Sequence, residues 1–184
     1  MQQLASNAQL RATIARWALF TVPLCLGLGL LSARLSGSVP DNPWFAALDK
    51  PALYPPPIVF PIVWSVLYVL MGLALALIAA ARGARGRLPV VLAFAVQLAL
   101  NLAWSPVFFV EHRITLALGI IVALIVALLI TIVLAWRVRR LAGALLFPYM
   151  LWVCFASMIN LQILQLNPYA DGAEGPGVVT RVQL

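Results

Sequence analysis

Residues 44–72 read WFAALDKPALYPPPIVFPIVWSVLYVLMG, with five prolines in the centre and an uninterrupted apolar run after them. Proline lacks a backbone N–H and disfavours helix in the residue before it, so residues 51–57 are predicted to form an extended, semi-rigid strap. Pro61 can occupy the first turn of a helix without breaking it. The strap is therefore predicted to lead directly into a helix that carries Trp64 and Tyr68.

The composition around this stretch is that of a membrane protein. Hydrophobic residues make up 64% of the chain and charged residues only 9%, and the mean hydropathy is +1.04. A soluble domain carries about a quarter charged residues. The composition excludes a soluble domain and indicates an integral membrane protein.

Charged residues divide the chain into five uncharged runs, each close to the length that crosses a bilayer as a helix. Runs this long without alternation are not barrel strands. The sequence predicts one all-α domain over 1–166, a bundle of five transmembrane helices, with a disordered tail over 167–184. Residues 1–33 could alternatively be a cleaved signal peptide. The helices are predicted near 16–34, 58–81, 89–110, 114–137 and 143–166.

The distribution of arginine predicts the orientation of this bundle in the membrane. The N-terminus and the 82–88 and 137–140 loops share one side and carry eight arginines and no acid, whereas the other side carries four basic residues and all five acids. The positive-inside rule puts the N-terminus in the cytoplasm, the proline strap outside and the protein in a bacterial inner membrane. The net charge of +7 follows from this topology, so the expected partner is the lipid bilayer and not nucleic acid.

Three of the predicted helices carry tryptophan and small polar residues on one face. Trp64 and Tyr68 share a face of the second helix, and Asn101 and Trp104 share a face of the third, because steps of three and four residues align on a helix. Trp152 and Asn160 likewise share a face of the fifth. The polar residues Gln97 and Asn101 either form a structural hydrogen bond between helices or anchor a mostly apolar ligand. Such aromatic faces suit a large, flat, apolar ligand beneath the long 35–57 loop.

Residues for ordinary catalysis are not found in this pattern. The sequence has no pair of acids, catalytic triad, phosphate loop or metal cluster, so no catalytic and no metal-binding residue is assigned. The single histidine, His112, is interpreted as a solvated turn residue, with haem ligation at the rim as the alternative. Cys25 and Cys154 fall on different predicted helices and are not expected to pair.

Two stripes of small residues are candidates for close helix contacts. The stripe of Ala95, Ala99 and Ala103 on the third helix is predicted to form the seam of a homodimer. The stripe at 72, 76 and 80 on the second helix could equally pack within the bundle.

Four spaced motifs, in this order, resemble the tryptophan-rich sensory protein/translocator protein family, and the resemblance covers residues 17–166. The motifs are Trp44…Leu48-x-Lys50-Pro51, Pro55-Pro56-x-x-Val59-Phe60-Pro61-x-Val63-Trp64-x-x-Leu67-Tyr68-x-x-Met71-Gly72, Gln97-Leu98-x-Leu100-Asn101-x-x-Trp104-Ser105-x-x-Phe108-Phe109 and Pro148-Tyr149-x-x-Trp152-x-x-Phe155-Ala156-x-x-x-Asn160.

The resemblance implies a dimeric five-helix bundle whose cavity binds porphyrins such as protoporphyrin IX, or haem, and benzodiazepine-site ligands, without a covalent cofactor. The resemblance also allows a location in an outer membrane. Three functions stay open: a receptor or sensor of porphyrin-type tetrapyrroles, a transporter of tetrapyrrole or sterol, and a light-dependent porphyrin-degrading enzyme. The ligand-binding residues it implies are Trp44, Trp64, Tyr68, Asn101, Trp104, Phe108, Trp152, Ala156 and Ile159.

The chain departs from the family pattern in three places. Many members carry tryptophan where this chain has Leu53 and Ile58, which predicts weaker photochemistry or ligand contact. The cholesterol-recognition pattern of animal members is absent, because no Lys or Arg follows Tyr149 until Arg181. Sterol recognition is therefore not expected.

Overall fold

The computed structural model describes residues 7–38 and 42–172, and over these ranges the chain is helical without a strand. Five helices are long and apolar enough to cross a membrane, which confirms the predicted all-α bundle. The helices are α1 (Asn7–Leu35), α2 (Pro43–Ala47), α3 (Val59–Ala80), α4 (Arg87–Phe109), α5 (Ile114–Val138), α6 (Arg140–Leu145) and α7 (Phe147–Leu166), followed by a 3-10 helix (Pro168–Ala170).

Two helix boundaries differ from the sequence prediction. Helix α1 begins at Asn7 rather than near 16, so the polar N-terminal approach is already helical. The fifth predicted helix is divided at Leu146 into α6 and α7. Pro148 has no N–H to donate to the carbonyl four residues earlier, and the Leu146 N–H donates to the Ala144 carbonyl instead.

The loop before the strap contains a short helix that the sequence did not predict. Asn42 caps α2, because its Oδ1 accepts a hydrogen bond of 2.9 Å from the Phe45 backbone N–H. Pro43 occupies the first turn, where no N–H is needed. This helix turns the Trp44 side chain inward, where it is only 8% exposed.

Helices α1 and α3 approach each other closely at Gly72, and Ala76 and Ala80 of the same stripe are buried. A Cβ on Gly72 would lie 2.5 Å from the Val22 Cα, so only glycine fits there. The Thr21 hydroxyl uses this approach to donate a hydrogen bond of 2.7 Å to the Gly72 carbonyl. This stripe therefore packs within the bundle, whereas Ala95 and Ala99 on α4 are exposed.

The helices form a ring in the order α1, α3, α6 with α7, α5 and α4. Helix α3 packs more extensively against α6 than against α7. The break at Leu146 thus lets the first segment lie on α3 while the second diverges from it, and this divergence positions the candidate site.

The described start of the tail is ordered, in contrast to the predicted disorder from residue 167. The Asn167 side chain accepts a hydrogen bond of 2.8 Å from the Asp49 N–H and donates one of 2.8 Å to the Asp49 carbonyl. Asp171 accepts hydrogen bonds from the N–H and hydroxyl of Thr115 and so caps α5. Residues 173–184 of the predicted tail lie outside the described residues.

Candidate functional site

The first group of predicted site residues lies between α3, α4 and α7. Trp64 stacks on Tyr68 with ring centroids 5.4 Å apart, and the Tyr68 hydroxyl donates a hydrogen bond of 2.7 Å to Asn101 Oδ1. The Tyr149 ring meets Trp64 edge-on at 6.2 Å and is fully buried. Gly29 makes room for this group, because a Cβ at that position would overlap the Tyr68 ring.

The second group lies beneath the short helix α2. Trp104 stacks on Phe108 at 4.9 Å, and Trp44 meets Phe108 edge-on at 5.6 Å. Trp104 Nε1 also donates a hydrogen bond of 3.1 Å to Asn160 Oδ1. The Asn160 amide nitrogen in turn donates to the Ile114 carbonyl at 3.2 Å, which ties α4, α5 and α7 together.

Trp152 belongs to a third group that faces sideways between α3 and α7. Its ring contacts Phe60 at 5.9 Å and Phe155 at 5.5 Å. Together with Phe155 it lines an open apolar cleft of 480 Å³. The α3 wall of this cleft consists of Ile62, Val63, Val66 and Leu67, and the α7 wall is completed by Pro148 and Leu151.

The predicted residues therefore lie in three neighbouring aromatic groups, and ring contacts through Phe45, Tyr54 and Phe60 link the second group to the third. Over residues 7–38 and 42–172, no ring contact joins Trp64, Trp104 or Trp152 to another of the three. All three pack against one central apolar core, and Ala156 does so too. Ile159 is 7% exposed and packs in the outer core with Trp44.

Several buried polar atoms of the described residues lack a hydrogen-bond partner. They are both amide atoms of Gln97 and Trp152 Nε1, whereas the Tyr149 hydroxyl lies within reach of the Asn101 side chain. Gln97 and Tyr149 are each 0% exposed. An unsatisfied buried polar atom costs about 1–3 kcal/mol, so each of these atoms would be stabilised by a polar partner. Two of the three can donate a hydrogen bond.

Lys50 holds the segment that covers the outer group. Its Nζ donates to the carbonyls of Phe45, Ala46 and Leu48 at 2.6, 3.0 and 2.9 Å. The same atom lies 4.8 Å from the centroid of the Phe45 ring. Desolvation lowers the pKa of Lys50 below its ordinary value, and neighbouring Asp49 acts in the opposite direction. The Lys50 ammonium group, from the loop after α2, thus binds the backbone carbonyls at the C-terminal end of α2.

Three residues of these groups were not assigned to the site from the sequence: Phe60, His112 and Tyr149. His112 stacks on Trp44 at 4.3 Å and has a φ of 55°, so it is part of the outer group and not a solvated turn residue. Phe60 and Tyr149 stood in the quoted family motifs, which is the signal that could have identified them. Nothing in the spacing of the sequence places His112 on Trp44.

Metal and disulfide chemistry find no support in the part of the chain that the structure describes. These residues contain no group of three or more His, Cys, Asp or Glu side chains that could hold a metal ion. Cys25 and Cys154 are both free. The arrangement is suited to binding through aromatic faces and a few hydrogen bonds.

Comparison with known proteins identifies the family. A model of the TspO/MBR family matches residues 21–166. The chain is 39% identical to the tryptophan-rich protein TspO of Chlorobaculum tepidum, over 82% of this chain and 98% of that protein. It is 35% identical to the tryptophan-rich sensory protein of Cereibacter sphaeroides, over 82% and 92%. It is 36% identical to the human translocator protein, over 64% and 70%. The chain is an integral, multi-pass membrane protein that belongs to the TspO/MBR family.

Proposed function

We propose that this protein is a membrane receptor or sensor that binds a porphyrin-type tetrapyrrole among its three aromatic groups. The proposal rests on the combination of aromatic faces with buried hydrogen-bond donors that have no partner. Trp64 on Tyr68, Trp104 on Phe108 and Trp152 surround one core from different helices. Flat ligands stack on such faces, and a few buried polar groups then set their orientation.

The polar atoms match the edges of such a ligand. Protoporphyrin IX is a flat macrocycle with two carboxyl groups, and carboxyl oxygens accept hydrogen bonds. Gln97 Nε2 and Trp152 Nε1 are donors without a partner. Asn101 already accepts from Tyr68 and holds that ring in place for stacking. Binding of the ligand would give hydrogen-bond acceptors to these donors, whose burial without a partner otherwise destabilises the fold.

The cleft between α3 and α7 favours a route for ligand through the bilayer. It is open, apolar and bordered by Trp152. The covering segment over Trp44, in contrast, is tied down by Asn167 and Lys50. A ligand that partitions into lipid would therefore reach the aromatic groups from the side.

Fluorescence of the intrinsic tryptophans tests the receptor proposal. Protoporphyrin IX should quench the emission of the wild-type protein in a saturable titration. The double variant Trp64→Phe, Trp152→Phe should bind more weakly, because both stacking faces are reduced. Trp136→Phe is the matched control, since Trp136 contacts Phe147 away from these groups. Equal affinity in the wild type and the double variant would show that protoporphyrin IX does not bind against Trp64 and Trp152.

The same lateral cleft favours transport of a tetrapyrrole as the second candidate function. Relatives that share 34–36% identity with the chain are named translocator proteins. The test is uptake of porphyrin into proteoliposomes that contain the wild-type protein. Binding without accumulation above empty liposomes would leave the receptor function and reject transport.

Light-dependent porphyrin degradation is a further prediction from the family resemblance. The positions at which many members carry tryptophan are Leu53 in the strap and Ile58 at the start of α3, and they are 62% and 64% exposed. Illumination of the protoporphyrin complex tests this activity. A loss of porphyrin absorbance that disappears in Trp64→Phe would support an enzyme, and an unchanged spectrum would reject it.

The proposal also includes the oligomeric state of the protein and the membrane in which it lies. The exposed Ala95 and Ala99 and the half-buried Ala103 leave a small-residue face of α4 available for a homodimer. The arginine distribution favours the inner membrane of a bacterium. Ala99→Trp should shift the detergent-solubilised protein towards monomer in light scattering if this face is the seam.

A further inference from the structure

A second cavity lies at the inner ends of α1 and α3, apart from the aromatic groups. It has a volume of 310 Å³ and is lined by Thr13, Arg16, Trp17, Phe20 and Arg82. The first four residues follow one another at steps of three, one and three, so they share a face of α1. Arg82 follows the end of α3 and reaches the cavity from the other helix.

Both arginines that line this cavity are exposed. Over residues 7–38 and 42–172, neither Arg16 nor Arg82 makes an ion pair. The five acids of the sequence all belong to the opposite side of the bundle by the predicted topology. Two guanidinium groups around one cavity repel each other unless an anion lies between them. An anion from another molecule would therefore be attracted to this cavity.

Arg16 is also oriented for such an anion. Its Nε donates to the Ala12 carbonyl at 3.3 Å, which fixes the guanidinium on the helix and leaves its terminal nitrogens available. The guanidinium group binds phosphate oxygens in pairs, which a lysine amine does not do.

The remaining walls of the cavity are apolar and lie at the membrane boundary. Trp17 is half-buried, and Phe20 is 62% exposed on the flank of α1. Both residues stand at the start of the uncharged run 17–33, the level at which phospholipid headgroups meet acyl chains. Inorganic phosphate would contact only the arginines, whereas a phospholipid would contact both the arginines and the apolar side chains.

We propose that this cavity binds the phosphodiester headgroup of an anionic phospholipid. The guanidinium groups of Arg16 and Arg82 hold the phosphate oxygens, and Trp17 and Phe20 pack against the glycerol and the first acyl carbons. The site is independent of tetrapyrrole binding. It places a specific lipid across the α1–α3 pair that Gly72 brings together.

Bromolipid quenching of tryptophan tests the site in the full chain. The protein is reconstituted into phosphatidylcholine nanodiscs that contain increasing fractions of dibrominated phosphatidylglycerol or dibrominated phosphatidylcholine. The Trp17 signal is the difference between the wild type and Trp17→Phe. Phosphatidylglycerol should reach half-maximal quenching at a lower mole fraction, by about fivefold for each arginine.

Matched variants separate this site from general surface charge. Arg16→Gln and Arg82→Gln should each lose about fivefold in the preference. Arg85→Gln removes a charge from the same side of the bundle but outside the cavity, and should leave the preference unchanged. Replacement of both arginines by lysine should lose part of it, because the charge remains and the paired hydrogen bonds do not.

Three outcomes would overturn the proposal. The first is equal quenching of the wild type by the two bromolipids. The second is a loss in Arg85→Gln as large as that in Arg82→Gln, which would assign the preference to bulk charge. The third is displacement of brominated phosphatidylglycerol by inorganic phosphate, which would make the cavity a site for free anions.

Discussion

The Tyr68 hydroxyl donates a hydrogen bond of 2.7 Å to Asn101 Oδ1 and joins α3 to α4 inside the aromatic site. Asn101 is 6% exposed and Tyr68 is 9% exposed, so water cannot readily replace either partner. The bond explains why an amide is placed within an apolar transmembrane helix. It also fixes the ring on which Trp64 stacks.

Tyr68→Phe should lower the free energy of unfolding by about 1–3 kcal/mol, because the buried Asn101 oxygen loses its donor. Denaturant or thermal unfolding in detergent measures the change. Tyr169→Phe is the control, since Tyr169 is 84% exposed and its hydroxyl meets solvent. An unchanged midpoint in Tyr68→Phe would mean that Asn101 finds another donor.

Asn167→Ala should loosen the segment that covers the outer aromatic group. The variant loses both hydrogen bonds to the Asp49 backbone, while the bundle itself keeps its helices. Chymotrypsin should therefore cut at Trp44 or Phe45 faster than in the wild type. Gln165→Ala, an exposed neighbour on α7, should be cut at the wild-type rate. Equal rates in the two variants would show that Asn167 does not restrain the segment.

The membrane fold could be predicted from the sequence because it depends on quantities that a sequence carries directly. The lengths of the uncharged runs gave α3, α4 and α5 to within two residues of the observed ends. Helix α2 was missed because its five residues depend on a single capping contact from Asn42. The break at Leu146 was missed because a proline inside a transmembrane helix does not always end it, and Pro23 lies inside the continuous helix α1.

For the candidate site, the sequence indicates which residues share a helix face but not which residues of different helices are in contact. Helical spacing placed Trp64 with Tyr68 and Asn101 with Trp104, and each pair shares a helix. Contacts between helices, such as Trp104 with Asn160, depend on rotation and crossing angle, which one sequence does not specify. His112 was interpreted as a solvated residue because its stacking on Trp44 arises from a turn with positive φ.

Gly72→Ala should destabilise the bundle, since the added methyl group would lie 2.5 Å from the Val22 Cα and force α1 away from α3. The hydrogen bond from Thr21 to the Gly72 carbonyl would lengthen at the same time. Gly27→Ala is the matched control on α1, because nothing lies within 4 Å of its Cβ position. Thermal unfolding should separate the two variants, with a loss of about 1–3 kcal/mol only at Gly72. A loss of the same size in both would attribute the effect to helix flexibility instead.

Gln97→Met should have opposite effects on stability and on binding. Both amide atoms of Gln97 are buried without a partner, so an apolar side chain of similar volume should raise the unfolding midpoint of the ligand-free protein. The affinity for protoporphyrin IX should fall by about tenfold, the equivalent of one lost hydrogen bond of about 1.4 kcal/mol. Leu100→Met makes the same kind of change at an apolar position of α4 and should leave binding unchanged. A lower midpoint for Gln97→Met without ligand would mean that the amide is already satisfied by enclosed water, and unchanged affinity would remove Gln97 from the ligand site.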